Sequence, residues 1–146
     1  MDLTTQQLLK KAVALHASDI FIVAGRPASI RLNGSIIMGN TERLMPDDTH
    51  LLLKQIYQLA DDRDMDTLIR TGDDDFSFSV QNLSRFRVSA FKQRGSLSAV
   101  IRVISFELPD RRERHIPERI INLANYSKGL VLVTGPAGNG KSTTLA

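Results

Sequence analysis

The chain has 146 residues, 42% hydrophobic and 24% charged, which suits one soluble domain with a core and is too short for two ordinary ones. Its net charge is +3, its Lys and Arg are scattered and aromatics make up 5%, which argues against the basic, aromatic-interleaved stripe of a nucleic-acid binder. Cysteine is absent, excluding a disulfide framework and Cys-based zinc sites.

Met1 to Gln7 has neither a basic n-region nor an apolar h-region, and no apolar run approaches the ~20 residues of a bilayer span. The expectation is a cytoplasmic protein, with any membrane association through partners. Residues 4–16 read as a helix capped by Thr4 or Thr5, with Leu8, Leu9, Ala12, Val13 and His16 at helical spacing. Asp19 to Val23 is a short apolar run, read as a buried strand. Residues 28–32 and 35–38 then flank Asn33-Gly34, the strongest short-range hairpin signal, because both turn positions need positive φ.

Pro46-Asp47-Asp48 suits a helix start, and Leu52, Leu53, Ile56, Tyr57 and Leu59 give that helix an apolar face. A short third helix is expected with Met65, Leu68 and Ile69 inward and Gly72 as its stop. Residues 75–80, 85–90 and 98–104 read as strands, with Asn82 and Arg94-Gly95 near their turns. The triplet Asp73-Asp74-Asp75 reads as a solvated strand start. The simplest assembly is an antiparallel sheet with helices on one face, an α+β fold.

Residues 108–116 are charged and contain Pro109, and read as a linker whose arginines serve solubility. Pro117 opens a helix through Ile120, Ile121 and Leu123. Leu130 to Val133 reads as a buried, parallel-type strand.

After that strand, Gly135-Pro136-Ala137-Gly138-Asn139-Gly140-Lys141-Ser142 matches G-x-x-x-x-G-K-[ST]. Gly135, Gly138 and Gly140 let backbone N–H groups converge on phosphate oxygens, and a helix starting near Lys141 adds its own N–H groups. Lys141 is placed to meet the β- and γ-phosphates of ATP, Ser142 to ligate Mg²⁺, and Thr143 to meet the α-phosphate. Asn139 contributes mostly backbone. Hydrolysis also needs an acidic group for Mg²⁺ and a group that orients water, which ordinarily follow the loop. The 146 residues alone are therefore expected not to turn over ATP, and residues after about 128 to be disordered or unusually packed.

Four stretches together resemble the twitching-motility (PilT-type) pilus-retraction ATPases of the type II and type IV secretion superfamily. They are Ala17-Ser18-Asp19-Ile20 with Gly25-Arg26-Pro27 and Arg31-Leu32-Asn33-Gly34; Asp75 to Phe78; Arg85 to Phe91 with Gln93-Arg94-Gly95; and Gly129 to Thr144. The resemblance implies a PAS-like N-terminal domain at 1–107, a linker at 108–116 and the start of a RecA-like ATPase domain at 117–146. It implies a homo-hexamer working with a pilus or secretion platform protein of the inner membrane. It also implies that N-terminal arginines approach a nucleotide at the subunit boundary, with Arg87 and Arg102 the candidates and Arg85 and Arg94 behind them. Phe21 departs from the family's usual His, and Ala137 and Asn139 from its usual Thr and Ser. His16, His50 and His115 are isolated and suggest no metal site. Two rival readings remain, a non-catalytic scaffold module and a DNA-translocating P-loop protein.

Overall fold

The computed structural model describes residues 4–104, 116–136 and 140–145, and of Ser142 and Thr143 only the backbone. The chain divides into two compact units, Met1–Phe106 and Glu107–Ala146, each described by itself. The expected linker lies, but for Ile116, outside the described residues.

In the first unit, helix α1 spans Thr5–Ala14. Thr4 caps it: its Oγ accepts from Gln7 N at 3.3 Å while Gln7 Oε1 accepts from Thr4 N at 3.0 Å, so each satisfies a donor of the other. The helix stops before His16, which is exposed at φ 53, so that residue does not join the apolar face. Strand β1 is Asp19–Ile22, and β2 (Ser29–Leu32) and β3 (Ser35–Met38) form the expected hairpin. Leu32 pairs with Ser35 across a two-residue turn, with Asn33 at φ 49 and Gly34 at φ 81.

Helix α2 covers Pro46–Leu59 and opens with Met45 N donating to Asp48 Oδ2 at 2.7 Å. Helix α3 covers Asp66–Thr71 and ends on Gly72 at φ 92. Leu68 is its buried residue. Ile69 is 48% exposed, against the expectation, because six residues give one turn and a half, enough to aim only one large side chain at the sheet. Strands β4 (Asp73–Val80), β5 (Ser84–Gln93) and β6 (Ser96–Ile104) follow, longer at their ends than the expected 75–80, 85–90 and 98–104.

The six strands form one antiparallel sheet in the order β3-β2-β1-β6-β5-β4. Its covered face carries Ile20, Ile30, Phe86, Val88 and Ile101, packed with Leu8, Leu9 and Ala12 of α1, Leu52, Leu53 and Ile56 of α2, and Leu68 of α3. Each such aliphatic side chain is worth roughly 1.5–3 kcal/mol on burial, which makes this cluster the organising core. The opposite face has no helix from this unit among the described residues, and it carries the arginines.

In the second unit, Pro117 caps a short helix α4, Glu118–Ile121, which tightens into a 3₁₀ turn over Asn122–Asn125. Leu130 to Val133 forms no strand; Leu130 and Leu132 are 82% and 75% exposed. The expectation of a buried strand is corrected here. An apolar strand needs neighbours to satisfy its backbone, and none of the described residues pairs with this one. Helix α5 begins at Lys141 and runs to Leu145, where the motif placed it.

Candidate functional site: a glycine loop and an arginine row

Two groups of predicted residues are found, one in each unit. In the second unit, Gly135 and Gly140 have φ of 152 and 75, and α5 starts directly after Gly140. A Cβ at Gly140 would meet no atom within 4 Å, so it is the positive φ rather than crowding that calls for glycine. The Lys141 ammonium folds back over the loop entrance and donates to Gly135 O at 2.8 Å and Pro136 O at 2.6 Å. Lysine has three N–H donors, and among the described residues these two carbonyls are the acceptors it meets. The first helical bond of α5 runs from Thr144 N to Gly140 O at 2.9 Å, leaving the N–H groups of Lys141, Ser142 and Thr143 without an intrahelical acceptor. A cation and N–H groups with no intrahelical acceptor, beside a glycine turn, suit a phosphate anion. Gly138, Asn139 and the side chains of Ser142 and Thr143, the expected Mg²⁺ ligand included, lie outside the described residues.

In the first unit, the strand register draws five residues into one row on the open face. Arg31 pairs with Asp19, Asp19 with Arg102, Arg102 with Arg87, and Arg87 with Ser77. The two predicted arginines are thus direct cross-strand neighbours. Arg85 lies on the same face beside Ile104, and Arg94 sits in the β5–β6 turn at φ 50.

Sequence reasoning gave Asp19 and Arg31 no functional role. Asp19 is buried. Its Oδ1 accepts from Arg102 Nε at 3.3 Å, its Oδ2 from Ser18 Oγ at 2.8 Å, and Arg31 Nη1 stands 3.7 Å from Oδ2. The Arg31 guanidinium also lies 5.2 Å from the centre of the Phe21 ring, a cation–π distance. A signal was present, in that Asp19, Phe21, Arg31 and Arg102 each occupy an outward position of their strands.

A second buried carboxylate serves the fold. Asp74 accepts from Tyr57 Oη at 2.9 Å, Arg63 Nε at 3.0 Å and Arg63 Nη2 at 2.9 Å. Those Arg63 hydrogen bonds hold Asp74 below the usual carboxylate range, against burial, with Tyr57 adding to the shift. Burial, then the hydrogen bond to Asp74, pushes the Tyr57 phenol well above its ordinary value. The solvated reading of the aspartate triplet is therefore wrong for its middle member. Asp74 falls in register with Phe76 and Phe78 on the covered face, so it is buried and must be paired.

The type II/IV secretion system protein family matches residues 2–146. The chain belongs to that family. It is 38% identical to the type IV pilus retraction ATPase PilT of Pseudomonas aeruginosa over all of this chain and 41% of that protein. It is 35% identical to the type IV pilus ATPase PilU of the same organism, over 97% of this chain and 36% of that protein. A crystal structure of the pilus retraction motor PilT with bound ADP superposes with a TM-score of 0.79 at 38% identity, covering 99% of this chain and 41% of that one. The chain thus spans about two fifths of the length of these secretion-family relatives. Among the described residues, no helix is long and apolar enough to cross a membrane.

Proposed function

We propose that this chain forms the N-terminal part of a hexameric motor ATPase that drives type IV pilus retraction. In this reading residues 1–107 are the N-terminal domain, 108–116 the linker and 117–146 the start of the RecA-like ATPase domain. Gly135, Gly138, Asn139, Gly140, Lys141, Ser142 and Thr143 hold ATP, and Ser142 also holds its Mg²⁺. When bound, ATP supplies the phosphoryl group whose transfer to water releases energy for motion. The chain's own residues bind and orient it: backbone N–H groups of the loop and of α5 receive the phosphates, and Lys141 bridges them to the loop entrance. Arg87 and Arg102 reach the nucleotide of a neighbouring subunit, and the motor acts from the cytoplasm through an inner-membrane platform protein.

The observation that carries this reading is the Lys141 ammonium held 2.8 Å from Gly135 O and 2.6 Å from Pro136 O at the head of α5. The likeness to PilT and PilU, both named for type IV pili, favours pilus work over other secretion roles. The test is Lys141→Ala in the complete protein, with ATP binding followed by calorimetry. Losing a charge-assisted hydrogen bond of about 1.5–3 kcal/mol weakens binding roughly ten- to a hundredfold. Unchanged affinity would overturn the reading.

A further inference from the structure

Two arginines of the first unit meet buried carboxylates in different ways. Arg63 gives Asp74 both Nε, at 3.0 Å, and Nη2, at 2.9 Å, and its guanidinium lies over the Phe76 ring. One edge of that group is consumed by the carboxylate and one face by the ring. Arg102 gives Asp19 only Nε, at 3.3 Å, while 68% of its side chain remains exposed and that of Asp19 only 7%. A guanidinium held at Nε is restrained at that edge, and among the described residues the two Nη groups of Arg102 meet no other acceptor, which leaves them for a bidentate oxyanion. The grip itself is well supported, because Asp19 is buried and is held in turn by Ser18 Oγ at 2.8 Å. Arg31 flanks the same carboxylate at 3.7 Å. Three guanidinium groups therefore share a row with one carboxylate, which leaves the row cationic.

We infer that Asp19 is a positioning residue: it holds Arg102 by Nε so that the Nη fork faces an anionic group docked on the open sheet face. This rests on the proposed placement of Arg102 at a neighbouring subunit's phosphates. Asp19 touches no phosphate in this scheme and acts only through arginine.

The test is steady-state ATP hydrolysis by the complete protein carrying Asp19→Asn, Arg102→Ala or both. Asp19→Asn keeps the size of the side chain and weakens its acceptor. It is expected to lower kcat on the order of ten- to a hundredfold, the scale of an ångström misplacement of a reacting group, with KM for ATP unchanged. The double variant is expected to be no slower than Arg102→Ala alone, since a positioning residue has nothing left to position. If Arg102→Ala lowers kcat while Asp19→Asn keeps the wild-type value, or if the two losses multiply, the role of Asp19 is refuted and that of Arg102 stands. If Arg102→Ala keeps wild-type kcat, the placement of Arg102 fails and Asp19's role fails with it. Should Asp19→Asn not fold, Arg102→Lys decides: it keeps the charge but has no Nε to grip, and is expected to be as slow as Arg102→Ala. Wild-type kcat in Arg102→Lys overturns the inference.

Discussion

Replacing Asp74 by alanine removes the acceptor that Tyr57 and Arg63 share, and the structure allows the loss to be estimated partner by partner. Tyr57 is 1% exposed, so its hydroxyl is left buried without an acceptor, at about 1–3 kcal/mol. The Arg63 side chain is 41% exposed, so it can turn to water, and its share is that of a screened ion pair, at most about 1 kcal/mol. The sum is roughly 1–4 kcal/mol, a sizeable fraction of the 5–15 kcal/mol typical of a folded domain. It should appear as a fall in Tm of at least about 4–8 °C, the shift that 1 kcal/mol gives a domain of this size. Urea unfolding of the whole chain, followed by circular dichroism, reads it as a lower midpoint at unchanged slope. Tyr57→Phe is the internal control. It leaves both Arg63 bonds in place and is expected to cost about 1 kcal/mol. A loss below about 0.5 kcal/mol for Asp74→Ala, the range of ordinary surface changes, would refute the view that this carboxylate ties α2 to β4.

The same group sets an acid limit. Because Arg63 holds the folded-state Asp74 below its unfolded value, its contribution is present above about pH 4–5 and is lost as pH falls through the lower folded value. Urea midpoints taken from pH 7 down to pH 3 should drop, and Asp74→Asn should flatten that part of the profile. For Tyr57 the sign reverses: its raised folded value means that stability falls above about pH 10, where the unfolded phenol ionises, and Tyr57→Phe should remove that slope. Gly39→Ala is expected to destabilise by about 1–3 kcal/mol. Its Cβ would stand 3.0 Å from Ala28 O and 3.4 Å from Leu8 Cδ1, and that same carbonyl is fixed by the Gly39 N–H at 2.6 Å. A midpoint equal to or above wild type would show that the β3 exit can relax.

Local chemistry was legible from the sequence where it is decided locally. The Asn33-Gly34 turn, the Pro46 helix start, the Gly72 stop and the alternation of β4 and β5 depend on neighbouring residues alone, and each was read correctly. The aspartate triplet failed for a reason visible in hindsight, since Asp74 is two residues before Phe76 and four before Phe78 and shares their face. The pairing of β1 with β6 joins residues some eighty positions apart, and no local pattern sets that register. The row Arg31–Asp19–Arg102–Arg87 therefore emerged only from the folded sheet. Leu130 to Val133 forms no strand, although its apolar run reads as one, because a hydrophobic run reports that burial is wanted and not what will provide it; its exposure agrees with the expectation of unusual packing after about residue 128.

The open face is itself an argument about function. A sheet covered on one side stays soluble by turning polar residues outward, and β5 does this with Arg85, Arg87 and Ser89 opposite Phe86, Val88 and Ala90. Solubility alone does not ask for Arg87 directly across from Arg102, where like charges repel. Asp19 offsets the charge of Arg102 from the far side, but the cross-strand neighbour of Arg87 on β4 is Ser77, which is neutral. A glutamate at position 87 would complete an alternating row of acid and base. Arg87→Glu is accordingly expected to stabilise the fold by about 0.2–1 kcal/mol, the usual worth of a cross-strand charge pair, and to abolish ATP-driven activity of the complete protein on the proposed reading. Urea midpoints and ATP hydrolysis measured on the same preparations separate the two effects. A variant that gains stability and loses hydrolysis would mean the repulsion is retained for the anion it receives. A variant that gains stability with hydrolysis intact would reduce Arg87 to a solubilising side chain.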